Sequence, residues 1–111
     1  MISRINIEEK MKEIEEPWSP VEVTKLNNQV VRLAMFKGEY PWHKHTKEDE
    51  LFFVVKGKII IRLREKKEKP DISLREGEMV VIPKGIEHSP KSSEESYVLM
   101  FEPIALKSKG D

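Results

Sequence analysis

No cysteine occurs in the 111 residues, which excludes disulfides, thiolate zinc sites and thiol nucleophiles together. Net charge is missing too. Twenty basic side chains balance twenty acidic ones, leaving no electrostatic footprint for nucleic acid or an anionic membrane surface. The one basic tract, residues 64–69, is interleaved with Glu and reads as a solvated loop. No apolar run is long enough to cross a membrane, and the opening MISRINIEEK lacks the hydrophobic core of a signal peptide. A cytoplasmic location is the expectation. Gln29 is the sole glutamine, Glu outnumbers Asp and Lys outnumbers Arg, a thermophile-like bias. Histidine is scarce as well, at three residues, and its placement carries most of the functional signal.

The length suits one core and one domain. Residues 1–18 read as a helix and arm, 19–106 as the main body and 107–111 as a polar tail expected to fray. Asn6 fits an N-cap with Glu9 completing a capping box. Ile7, Met11 and Ile14 then share a helical face until Pro17 ends the pattern. From Pro20 the period changes to that of strands. VEVTKL and QVVRLAMF flank Asn27-Asn28, a dipeptide suited to a tight hairpin. LFFVV and KIIIRLR are joined at Lys56-Gly57, and DISL, MVVIP and SYVLMFEP follow, with a turn at Arg75-Glu76-Gly77. Short strands at even spacing predict an all-β sandwich or barrel. LFFVV and MVVI are apolar on both faces, so the outer face needs a cover, from the second sheet, the helix or a second subunit; a second copy of the chain, giving a homodimer, is the leading expectation.

In a strand alternate side chains share a face, so His43 and His45 would point the same way and can bind one metal ion together. Glu48, Asp49 and Glu50 are the carboxylates that could join them. Glu50 opens the apolar run, where strand pairing fixes its backbone, and shares its face with Phe52 and Val54. Asp49 should point the opposite way, and Glu48 should lie in the turn at the rim. The third histidine, His88, closes GEMVVIPKGIEH, in which Pro83 and Gly85 form a turn that can bring it back over the sheet. An HxH pair is often a mere surface feature. Every histidine and a strand-borne Glu converging on one place is a metal site, with His43, His45, Glu50 and His88 as ligands.

These residues resemble those of the cupins, small double-sheet jelly-roll barrels also described as a double-stranded β-helix. The first cupin motif is matched by Gly38, His43, His45, Glu50 and Gly57, the second by Gly77, Pro83, Gly85 and His88; together they span about half of the chain. PWHKHTKEDELFFVVKG and LREGEMVVIPKGIEHSP are similar to the small single-domain cupins labelled mannose-6-phosphate-isomerase-like. The gap from Gly38 to His43 is one residue shorter than usual, and Ser92 stands where the second motif often ends in Asn. Neither departure touches a ligand. The resemblance implies the same four metal ligands.

Nitrogen and oxygen donors without sulfur suit one divalent transition metal ion, whether Mn, Fe, Ni, Cu or Zn. Such a centre would act as a Lewis acid or redox site on a small oxygen-rich or anionic molecule. That describes a metal-dependent dioxygenase or isomerase, or alternatively a non-catalytic binding or sensor module. No histidine is left over to activate a serine, and Ser89, Ser92, Ser93 and Ser96 read as loop residues. Glu48 or Glu87 could serve as a base at the rim. Tyr40 and Trp42 should point away from the metal by parity, and Met35, Met79 and Met100 read as core fillers. No cluster of Arg and Lys suits a sugar phosphate, and no helix-turn-helix lies outside the barrel.

Overall fold

Asn6 begins the first element as its sequence suggests: its side chain accepts a hydrogen bond of 2.9 Å from the Glu9 amide. In the computed structural model, which describes residues 2–64, 71–107 and 109–111, helix α1 spans Ile7–Met11. It stops one turn short of Ile14. Pro17 disfavours helical backbone at Glu16 and clashes with a helical carbonyl four residues earlier, so the helix ends upstream.

The strands are β1 (Val21–Leu26), β2 (Gln29–Glu39), β3 (Glu50–Lys56), β4 (Lys58–Leu63), β5 (Ile72–Arg75), β6 (Met79–Ile82) and β7 (His88–Pro103). All pairings are antiparallel. The expected hairpin joins β1 to β2, with Leu26 facing Gln29 and Asn27 at a positive φ of 56°. Part of the polar stretch after β4, residues 65–70, lies outside the described residues.

β7 organises the molecule. Its first residues pair with β4, and its later ones with β2 on one side and β3 on the other. β1 extends β2, β6 extends β3 and β5 extends β4. Register shifts between Phe36 and Gly38 and between Val54 and Lys56 let the paired strands bend, as bulges do. The inner faces close on one core: Ala34, Phe36, Phe52, Val54, Val98 and Met100 from one side, Ile59, Ile61 and Leu74 from the other. This is the jelly-roll barrel.

Two readings of side chains need correction. Ser89, Ser92, Ser93 and Ser96 all lie within β7 and are not loop residues, and all but Ser93 are buried. Ser92 and Ser96 donate to the Lys58 carbonyl at 2.8 and 2.9 Å, satisfying backbone where β7 bends. Met35 and Met100 are buried, but Met79 is 58% exposed, because its place on the short edge strand β6 puts it on the outer face.

Candidate metal centre

The HxH segment is not itself a strand. Residues 40–49 form no strand, and His43 makes only an isolated bridge with His88. The expected strand face is therefore replaced by cross-links between the two motifs. His43 and His88 exchange backbone hydrogen bonds of 3.0 and 2.8 Å, and the Gly85 amide donates to the His45 carbonyl at 2.8 Å. Asp49 accepts from the Lys84 amide at 2.8 Å. It points away from the ligands, as expected, and anchors the turn that delivers His88. Glu50 opens β3 opposite Ile82.

The four predicted ligands come together. One ligand atom each from His43, His45, Glu50 and His88 lies within 4.8 Å of all the others, and all four residues are buried. His45 Nε2 stands 3.5 Å from Glu50 Oε1, and His88 Nε2 3.9 Å from it. Among the described residues, none of these three buried atoms has a hydrogen-bond partner. A buried polar atom without a partner costs about 1–3 kcal/mol, and three facing one another without a common ligand are an unfavourable arrangement.

The imidazoles are set for ligation. His43 Nδ1 lies 2.9 Å from the Pro41 carbonyl and His88 Nδ1 2.8 Å from the Ile86 carbonyl. A nitrogen facing a carbonyl carries the proton, so each ring leaves its Nε2 lone pair for a metal. Burial lowers the His43 pKa, against the opposing Pro41 carbonyl, and favours this neutral form. For Glu50, burial acts to raise the carboxyl, but positive charge at the His45 and His88 rings outweighs it and holds the group below the usual carboxylate range; a divalent ion held between the neutral rings would supply that charge instead. Neutral imidazoles and an ionised carboxylate fit a divalent ion, and so do the unpartnered atoms. The four residues could bind one metal ion.

Beside the ligands lies a cavity of about 50 Å³. Trp18, Phe36, Phe52 and Met100 supply apolar wall, and Tyr40, His43, Glu50 and Glu102 the polar groups. Trp18 is pinned there by its indole Nε1, which donates to the Lys37 carbonyl at 2.8 Å. Tyr40 corrects the parity argument. The register shift after Phe36 re-aims the chain, and the ring sits 5.3 Å from that of His43. Trp42 does face away, stacked 5.0 Å from Arg62 and 4.4 Å from Arg64. Neither suggested rim base lines the cavity; Glu87 is engaged by Arg64 at 3.3 Å.

Glu102 is a buried carboxyl beside the site that the sequence did not single out. Only 3% exposed, it is bonded to Arg32 on one side and leaves Oε1 unpartnered. Burial and the neighbouring Glu50 carboxylate push its pKa up to about 9. A parity signal was available. In SYVLMFEP, Val98, Met100 and Glu102 alternate inward, and a Glu in register with core residues demands a reason.

Fold, motifs and ligand cluster together define a metal-site jelly-roll, and the comparisons with known proteins give it a family. The cupin domain pattern matches residues 29–102. The chain belongs to the cupin family. It is similar to the Bacillus subtilis protein YdbB, at 38% identity over 72% of this chain and 68% of the relative. It is also similar to 3-hydroxyanthranilate 3,4-dioxygenase of Xenopus laevis, at 30% identity over all of this chain but only 40% of that enzyme. Among solved structures, a cupin-2 domain protein from Shewanella frigidimarina superposes with a TM-score of 0.83 at 37% identity, over 89% of this chain and 93% of that one.

Proposed function

We propose that the chain is a metal-dependent dioxygenase of small hydroxylated aromatic molecules, with His43, His45, Glu50 and His88 as its metal ligands. The observation that carries this reading is the set of unpartnered ligand atoms, His45 Nε2, Glu50 Oε1 and His88 Nε2, converging next to an aromatic-walled cavity. Similarity to 3-hydroxyanthranilate 3,4-dioxygenase supports the reaction type. When bound, the divalent ion would supply the Lewis-acid and redox chemistry that brings oxygen and a phenolate together.

The chain's own residues do the rest. The Trp18, Phe36 and Phe52 walls exclude water and favour a planar apolar ligand. Tyr40, whose pKa burial and Glu50 raise, keeps its phenolic proton and remains a donor. Glu102 Oε1 faces the same space and can hydrogen-bond a polar ring substituent.

The chain is also proposed to act as a homodimer. On the outer face, Leu51 stands between Val81 and Phe101, and Phe53 between Met79 and Leu99. Met79, Val81 and Phe101 are 58, 50 and 40% exposed, while α1 packs against β1 and β2 instead. A contiguous apolar face of this kind suits a second copy.

The test is direct. Protein purified without added metal should hold about one divalent ion per chain. Its iron-loaded form should consume oxygen with 3-hydroxyanthranilate or a simpler aminophenol or catechol. Glu50→Gln and His88→Ala should lose both properties. Tight binding of such phenols without oxygen uptake would make the chain a binding module instead.

A further inference from the structure

The tail, expected to fray, is instead tied to the metal-ligand segment. After β7 the Leu106 amide donates to the Pro103 carbonyl at 3.0 Å, and the Leu106 side chain is buried. Further on, the Asp111 amide donates to the Lys44 carbonyl at 3.2 Å. The Asp111 carboxylate accepts from the Thr46 amide at 2.8 Å and from the Thr46 hydroxyl at 2.5 Å. Lys44 and Thr46 flank His45, so two of these bonds grip the backbone on either side of a proposed ligand and the third holds the Thr46 side chain, none of them touching the ligand itself.

Gly110 allows the approach. Its φ is +82°, and a Cβ there would lie 2.4 Å from the Lys44 carbonyl oxygen and 3.2 Å from His43 Cβ. No other residue type fits that conformation and that gap without displacing the segment. The grip matters because the segment has few other supports, namely the bridge to His88 and the Gly85 bond to the His45 carbonyl. Half of the ligand set therefore sits on irregular chain, where a side chain is held only as well as its backbone.

We infer that Gly110 and Asp111 are positioning residues, a strap that holds His43 and His45 in ligand geometry and slows metal loss. The inference rests on the metal reading above. Strap and metal reading fail separately in the following experiment.

Zinc(II) is loaded into the full chain, and its transfer to a colorimetric chelator is timed for the wild type, Asp111→Ala, Gly110→Ala and Thr46→Val. Supports around metal ligands are typically worth about 10–100-fold in affinity. Release should therefore accelerate on the order of tenfold in each variant, with thermal midpoints close to wild type. Asp111→Ala combined with Thr46→Val should release no faster than Asp111→Ala alone, since losing the carboxylate already removes the bonds of both the Thr46 amide and the Thr46 hydroxyl. Release within about twofold of wild type in Asp111→Ala and Gly110→Ala would overturn the strap. Should the wild type bind no zinc, the metal reading falls, and the strap is then judged on metal-free protein by hydrogen exchange at the Thr46 amide. Faster exchange in Asp111→Ala supports the strap, and unchanged exchange overturns it.

Discussion

Glu102 is a carboxyl kept protonated by its surroundings, and this has a measurable consequence. Its pKa stands at about 9, raised by burial and the nearby Glu50 carboxylate, with Arg32 acting in the opposite direction. Between neutral pH and 9 the folded chain holds this proton while the unfolded chain has released it. Stability should therefore fall as pH rises through that window. Glu50 adds no slope there, because its shift is downward. Glu102→Gln keeps the shape and removes the titration. Urea unfolding of the metal-free proteins should show a flat profile for the variant and a fall on the order of 1–2 kcal/mol for the wild type from pH 7 to 9. Parallel profiles would contradict the assignment. The four clustered residues were legible in the sequence because histidine is rare in it and strand parity singles out Glu50. Tyr40 was misread, because parity holds only along an unbroken strand and the register shifts between Phe36 and Gly38.

Turns that deliver the ligands govern the elements. Lys56-Gly57 reverses the chain from β3 into β4 as its sequence indicates, and Gly57 has a φ of +91°. A Cβ on Gly57 would come within 2.3 Å of Ser96 Oγ and 2.8 Å of Ser96 Cβ. Ser96 also accepts from the Lys58 amide at 3.1 Å, so it cannot move freely. Gly57→Ala should destabilise the fold by about 2–4 kcal/mol, combining backbone strain with overpacking. Ser96→Ala should recover only part of that loss, since the Cβ contact persists; thermal and urea unfolding of the three variants check both points. Full stability in Gly57→Ala would contradict this packing. Strand order and turns were readable from period and punctuation. The HxH segment was not, since its conformation is set by His88, Gly85 and Asp111, all distant in sequence.

At the scale of the whole molecule, one face remains to be covered. The rows Val81–Leu51–Phe101 and Met79–Phe53–Leu99 run across β6, β3 and β7. The sequence announced this face, since LFFVV and MVVI leave no polar side to show to water. A homodimer through it predicts that Phe101→Glu shifts the sedimentation coefficient from dimer to monomer with the barrel intact; a monomeric wild type would contradict it.

A barrel whose buried donors converge on one metal ion should carry that ion through purification. Elemental analysis of protein purified without added metal should find about one divalent transition-metal ion per chain. His88→Ala should contain almost none, while circular dichroism shows its strands retained. A wild-type content near zero, with no binding restored by added iron, manganese or zinc, would mean that these four residues hold no metal.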